Sequence, residues 1–457
     1  MRPLPLFHIL KAWWPLAASW LFMSLEQPLV GAVIARLADP TVHLAALGGL
    51  VFPLALVIEA PIIMLLAAST ALSKDRQAYR LIHRFMMTAG VLLTVLHALL
   101  AFTPLYDLVV VRLLNPPAEV VEPARWGLMV MLPFTWSIAY RRFHQGLLIR
   151  HGRSLSVSVG TVIRLLAILL GITVAALAGA PGIVVGTVGI AAGVLAEAAF
   201  IGWRVRPVVR EQLPAEAGTP LSWRAFYRFY NPLALTSLLI LAAQPLGSAA
   251  LARMPQALES LAAWPVLMAF IFMFRGLGMA YNEVVVATLD GSGAWRSLRR
   301  FAHLLSLGMT GVLLLVALSP LSQLYFSAVM GLEPDLVRLA GGGLLLTLLW
   351  PAVTVYQNYY QGVILYGGQT RHVSHAVLIS LATSAVLLVV GVWLGTLPGL
   401  YVGTFAFAVG SLVQMLWLAL RSRPVIARLQ ARDQEVDAPE AATAARSGAR
   451  VAGSSRQ

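Results

Sequence analysis

The chain has 457 residues, of which 59% are hydrophobic and only 11% charged, and its mean hydropathy is +0.80. A soluble domain covers itself with about 25% charged residues; this composition excludes one and fits a protein whose outward apolar side chains meet lipid. The absence of cysteine excludes disulfides and thiol chemistry. The formal charge of +14 sits mostly in short loops between apolar runs, which reads as membrane topology rather than nucleic-acid binding.

Apolar runs and their breakers predict about twelve transmembrane helices, at 12–36, 44–71, 86–106, 122–147, 155–178, 182–203, 229–254, 260–288, 302–326, 336–365, 373–395 and 399–420. Residues 1–11 read as a cytoplasmic N-terminus too short for a cleavable signal. Residues 12–205 read as one six-helix bundle, 206–228 as a cytoplasmic linker and 229–420 as a second bundle. The stretch 421–457 is rich in Arg, Ala, Ser and acidic residues without apolar periodicity, and reads as a disordered cytoplasmic tail. With the N-terminus inside, only Arg36, Arg112, Arg125, Arg253 and Arg338 fall on the outer face, and Arg141, Arg142, Arg164 and Arg275 lie at or near membrane depth. All other Lys and Arg then fall inside, which places both termini in the cytoplasm.

The two bundles repeat one another. At a shift of 217 residues Gln27-Pro28-Leu29 meets Gln244-Pro245-Leu246 and Ala35-Arg36 meets Ala252-Arg253. At 216, Gln145-Gly146 and Gly152 meet Gln361-Gly362 and Gly368. Six helices per repeat is an even number, so both halves enter from the same side and are related by a pseudo-two-fold axis along the membrane normal. A cleft between such bundles is the usual basis of alternating access. No GxxxxGK[ST] segment occurs, so transport would draw on a gradient or on a partner.

Trp14-Pro15-Leu16 followed by Glu26-Gln27, and Asn231-Pro232-Leu233-Ala234-Leu235 opening the second half, resemble the progressive ankylosis (ANK) transporter family. The segment 124–154, with Pro133 inside it and a Gln145-Gly146 to Gly152-Arg153-Ser154 end, resembles the fourth helix of MATE proteins. Both families belong to the multidrug/oligosaccharidyl-lipid/polysaccharide (MOP) exporter superfamily, and the resemblance covers about residues 10–420. It implies a MATE-like architecture and a secondary exporter. ANK-type proteins are linked to export of anions such as pyrophosphate, citrate or nucleotides, and MATE proteins exchange cationic drugs for Na⁺ or H⁺. The chain departs from the Na⁺-coupled pattern, because the seventh span carries Gln244 and no acid and the tenth has none.

Ionisable groups at membrane depth cost about 2.5–3.5 kcal/mol each on insertion scales, so they face a cavity or a partner. Glu26 is central in the first span, and Pro28, lacking an N–H, leaves the Ser24 carbonyl unpaired and invites a kink. Glu26 is therefore a candidate for coupling to a proton or Na⁺, or else a carboxylate paired with an Arg of its own bundle. Glu59, just before Pro61, is a second coupling candidate. Its repeat counterpart is Arg275, which suggests a salt bridge or gate across the cleft, or two groups each satisfied in its own half. Arg275 alone is a candidate anion ligand. Arg164 is placed to partner Glu26 or Glu197, the third coupling candidate. Arg141 and Arg142 are cleft candidates, with snorkelling to the nearby surface as the plainer reading.

Their counterparts in the second half are neutral: Gln357, Asn358, Ser380 and Gln414. Gln27, Gln244, Tyr356, Gln357 and Asn358 are further cleft candidates, and Pro28, Pro61 and Pro245 candidate hinges. The expected function is a secondary transporter, an exporter of organic or phosphate-type anions in a bacterial inner membrane. Alternatives are a lipid-linked sugar or peptidoglycan-precursor flippase, a cationic drug exporter and a non-transporting scaffold. An enzyme is not expected, for want of a nucleophile–base constellation or metal-ligand cluster. The partners expected are a small-molecule substrate and the bilayer; nucleic acid and cofactors other than a coupling ion are not expected, and a monomer suffices.

Overall fold

The computed structural model describes residues 4–215, 220–291, 293–369 and 371–454, with side chains up to Asp433 apart from Ser19 and Phe22. Helices stand where all twelve spans are expected. The first is Leu6–Ser24 and Glu26–Ile34, broken at Leu25; the second occupies Pro40–Leu72 and the third Arg76–Phe102. The fourth is Ala118–Val130 and Leu132–Arg150, broken at Met131. The fifth and sixth are Ser154–Leu177 and Gly182–Gln212, the seventh and eighth Trp223–Leu251 and Ala257–Thr288. The ninth is Ala294–Leu318; the tenth, Pro334–Leu346 with Trp350–Tyr366, bends by 43° at its break. The eleventh is Arg371–Leu394 and the twelfth Gly399–Ser454. No strand occurs among the described residues.

Among the described residues nine of these helices are long and apolar enough to cross a membrane, and ten if the bent pair is one span. The first and fourth fall short of that measure because they are broken and carry charge: His8 and Lys11 in one, Glu119, Glu122, Arg125, Arg141 and Arg142 in the other. Elsewhere large apolar side chains stand in the open, such as Leu170, Leu177, Leu315, Leu318, Val389 and Trp393. Faces of that kind are stable against hydrocarbon and not against water.

The repeat is written into the backbone. Left-handed residues recur at Asp39 and Gln256, at Asn115 and Gly331, at Gly152 and Gly368, and at Gly179 and Gly395. Each pair is 216 or 217 residues apart, and each ends or begins a helix. Helix packing within each half rests on small residues. A Cβ on Gly193 would stand 3.0 Å from the Arg164 carbonyl, and one on its repeat counterpart Gly410 would stand 2.9 Å from the Ser380 carbonyl. Glycine there lets the paired helices approach backbone to backbone.

Three boundaries differ from expectation. The stretch 421–457 is not an irregular tail as far as it is described: the twelfth helix continues to Ser454, and Val425 and Leu429 are buried against the first, eighth and ninth helices. Asp433 accepts hydrogen bonds from the Gly293 amide (2.9 Å) and Trp295 Nε1 (3.1 Å). Charged residues at wide spacing conceal this apolar stripe. The sixth helix runs on to Gln212, which shortens the linker, and residues 216–219 of that linker lie outside the described residues. Pro245 leaves the seventh helix unbroken, whereas the first helix breaks at Leu25, just before Pro28, and the second is interrupted at Met64, three residues beyond Pro61.

The first and seventh helices each begin against the opposite half. Trp13 Nε1 donates to the Leu277 carbonyl (2.9 Å) and its ring meets Phe301 edge-on. The Tyr230 hydroxyl donates to the Pro61 carbonyl (2.5 Å), and Phe226 and Tyr230 hold Phe85 of the third helix. At the arginine-poor end the halves meet again. The Pro265 ring leaves no room for a side chain at Gly48, its repeat counterpart. Arg36 donates to the carbonyls of Ala328 (2.6 Å) and Val329 (2.9 Å), the last turn of a π-helix in the second half. Its counterpart Arg253 donates to Leu113 (2.5 Å) and Leu114 (3.0 Å), the last turn of the π-helix Asp107–Leu114 in the first half.

Cations on helix C-terminal carbonyls are favourable, and these two cross between halves in pseudo-symmetric fashion. Replacing both with alanine is expected to enrich a state open at this end about tenfold, the effect of roughly 1.4 kcal/mol. Spin labels at Leu108→Cys and Leu324→Cys, in a chain with no cysteine of its own, would report a longer distance component. An unchanged distance distribution would reduce the two arginines to local caps.

Candidate functional site

The fourth helix restarts at Leu132 with Pro133 in its first turn, where a missing N–H costs nothing. From there Arg141 and Gln145 lie one turn apart and share a face. Both reach Glu197 on the sixth helix, which is fully buried. Arg141 Nη1 donates to Glu197 Oε2 at 2.7 Å, and Gln145 Nε2 donates to Oε1 at 2.9 Å. On the fifth helix Arg164 donates through Nη2 to Glu26 Oε2, and its Nη1 stands 3.8 Å from Glu197 Oε2. Glycine makes the room: a Cβ on Gly193 of the sixth helix would collide with Ile168 of the fifth.

The first, fifth, sixth and fourth helices are thus tied by a chain running Glu26, Arg164, Glu197, Arg141. Burying ions costs several kcal/mol each, recovered only when geometry is good and remaining polar atoms are satisfied. Glu197 meets that condition on both oxygens. Other groups do not: Arg142 has no ion pair or hydrogen bond among the described residues, and Glu59 Oε1 is buried without a partner. A cavity of about 160 Å³ opens onto Glu26, Arg141, Arg142, Gln145, Thr161 and Arg164. Three guanidiniums face it with one carboxylate, and with Glu197, bonded to Arg141 behind the wall, the cluster keeps a formal charge of +1, suited to an anion.

The second half is built differently. Arg275 Nε donates to Thr354 Oγ1 (3.1 Å), and its guanidinium lies over the Trp350 ring, 4.4 Å from the centroid. No carboxylate stands within ion-pair distance of it among the described residues. The ring face supplies part of the missing counter-charge.

The expected contacts sort as follows. Arg164 joins both of its candidate partners, Glu26 and Glu197. Glu59 and Arg275 do not pair: Arg275 is held in its own half by Thr354 and Trp350. Arg141 does not snorkel, because Glu197 draws it inward. The polar run of the tenth helix does not line one face. The Tyr356 hydroxyl meets His303 Nδ1 (2.5 Å), Asn358 Nδ2 donates to the Thr354 carbonyl (2.8 Å), and Gln357 Oε1 is buried without a partner. Beside the two pseudo-equivalent prolines Gln27 is half-buried and Gln244 exposed. Gln145, Thr161, Trp350 and Thr354 were not singled out from the sequence. Only Gln145 carried a signal, being one turn from Arg141.

Removing Glu197 leaves a buried guanidinium unpaired. Glu197→Ala is expected to destabilise the protein by about 3–5 kcal/mol, and Glu26→Gln by clearly less, since Arg164 retains Glu197 and borders the cavity. Thermal unfolding in a lipid nanodisc measures both. Equal shifts would remove Glu197 from the centre of the network.

The sequence matches no protein-family model and no curated protein. Solved structures do resemble the fold. An inward-facing multidrug resistance MATE family transporter of the MOP superfamily aligns with TM-score 0.69 at 16% identity, covering 89% of this chain and 95% of that one. The lipid II flippase MurJ in an inward closed conformation aligns with TM-score 0.66 at 12% identity, covering 92% and 90%. A MOP superfamily transporter from Pyrococcus furiosus aligns with TM-score 0.63 at 15% identity, covering 94% and 100%. These neighbours are transporters rather than enzymes. The chain is an integral membrane protein with the fold shared by the MATE transporters and MurJ.

Proposed function

We propose that the protein is a secondary active transporter that exports organic or phosphate-type anions across a bacterial inner membrane by alternating access. The observation that carries this reading is the charge-rich cavity of the first half: three arginines, one carboxylate at its wall, and Glu197 behind. The excess of Lys and Arg at one end supports placing both termini in the cytoplasm. Arg36 and Arg253 then close the outer end, in keeping with the higher TM-score to an inward-facing transporter, 0.69, than to an outward-facing one, 0.55. One chain contains both halves, so a monomer suffices.

Glu26 and Arg164 link proton binding to anion binding, so that the two travel together, and the drive for export is the membrane potential acting on the net charge carried. While Glu26 is ionised it holds one arm of Arg164. A proton on Glu26 frees that arm for an anion, so protonation and anion binding favour each other. An inside-negative membrane potential assists anion export by about 2.3 kcal/mol per charge per 100 mV. Arg275, with no carboxylate of its own, is the anion contact in the second half. Among known families this reading sits nearest the ANK-type exporters.

The likeness to a lipid II flippase supports a second reading, in which the anion is the diphosphate of a lipid-linked sugar. Thermal stabilisation of the purified protein separates the readings. Pyrophosphate, citrate and nucleotides are expected to stabilise the wild type, more strongly as pH falls, and to fail with Arg275→Ala. Glu26→Gln is expected to bind these anions at all pH values as the wild type does at low pH. Stabilisation by cationic dyes alone, or a pH dependence unchanged in Glu26→Gln, would sink the proposal. Stabilisation by a polyprenyl diphosphate sugar but not by soluble anions would favour the flippase.

A further inference from the structure

At the arginine-rich end two cavities of about 440 and 640 Å³ adjoin at Ser222. The first lies between the third helix and the start of the seventh, lined by Gln77, Arg80, Arg84 and Trp223; the second is lined by Arg224, Arg228 and Phe229. Arg80 and Arg84 stand one turn apart on their helix, as do Arg224 and Arg228 on theirs. Like charges at that spacing repel. None of the four has an ion pair or a hydrogen bond among the described residues, and all are exposed. Other arginines at this end are engaged: Arg76 donates to the carbonyls of Leu213 and Arg210, and Arg150 to that of Thr70.

The two arginine pairs cannot drift apart. Phe85, next to Arg84, meets Phe226 at 4.8 Å and Tyr230 at 4.9 Å between ring centroids. Two pairs of unspent guanidiniums thus line two concavities that meet at Ser222, an arrangement that an anion with several acceptor oxygens relieves. The concavities also open onto an apolar face. Trp223 borders the first cavity, and Leu235, Leu239 and Leu246, exposed on the same side of the seventh helix as Arg224 and Arg228, run on beyond the second. Trp at such a position is typical of the headgroup level, and the apolar residues beyond it offer a bed for acyl chains.

We propose that this cavity pair is a binding site for the phosphodiester headgroup of an anionic phospholipid, with the acyl chains lying along the seventh helix. The lipid bridges the third helix, in the first half, to the seventh, which opens the second. The site is separate from the transport cavity, and its occupancy does not depend on what is transported.

The test uses the full chain in detergent with added phosphatidylglycerol or phosphatidylcholine, read by native mass spectrometry. The wild type is expected to retain phosphatidylglycerol and to release phosphatidylcholine. Arg80→Gln, Arg84→Gln, Arg224→Gln and Arg228→Gln together are expected to lower retention about tenfold, and Arg224→Gln with Arg228→Gln alone, should the fourfold variant not fold, about threefold. A matched variant, Arg296→Gln, Arg299→Gln and Arg300→Gln, removes charge from the corresponding surface of the ninth helix and is expected to leave retention unchanged. Equal losses in the two sets would mean diffuse attraction and overturn the site. So would retention unaffected by the arginine changes. Displacement of the lipid by millimolar inorganic phosphate would assign the cavities to a free phosphate instead.

Discussion

Glu197 is the group on which the interior of the first half depends. It is a carboxylate with no access to solvent or lipid, and both of its oxygens are engaged. Without it Arg141 would have to leave the interior, Gln145 would lose its acceptor, and Arg164 would have Glu26 alone. A charge so deep is tolerable because the sixth helix meets its neighbours through glycine, which brings the partners within hydrogen-bond reach. Packing and electrostatics are therefore one design here: the close approach of helices permits the ion pairs, and the ion pairs fix which helices approach.

The repeat was legible in the sequence because it is carried by residues whose chemistry is not apolar. Gln-Pro and Gln-Gly pairs repeated at spacings of 217 and 216 cannot come from chance repetition of Leu and Ala, and the left-handed turns confirm the register. Depth was legible for the same reason, so the meeting of Arg164 with Glu26 and Glu197 could be anticipated. Azimuth was not. Glu59 and Arg275 are repeat counterparts yet do not pair, Arg275 bonding Thr354 in its own half, which no count of residues reveals in a helix with breaks. The twelfth helix beyond Leu420 was hidden for another reason: Val425, Leu429 and Asp433 are three contacts in a polar context, recognisable only once their partners are known.

Symmetry and function part company in this molecule. The scaffold is duplicated, down to two arginines that cap π-helices across the midline. The interior chemistry is not. Where the first half has Arg141, Arg142, Arg164 and Glu197, the second has Gln357, Asn358, Ser380 and Gln414, and its one deep cation rests on an indole ring. A duplicated frame thus carries its buried ion network in the first half alone among the described residues. The break at Leu25 adjoins Glu26, so the carboxylate that holds Arg164 is next to the place where its helix is interrupted.

The exchanged ends of the first and seventh helices bear on how the protein is made. Trp13 enters the membrane early in synthesis, yet the carbonyl it bonds belongs to Leu277, 264 residues later. Until the eighth and ninth helices have been inserted, the leading half of the first helix has no mate, and the first bundle cannot reach its final packing. Final packing of the first helix therefore waits on the second half, and a nascent chain arrested after the sixth helix would hold that segment without its partners.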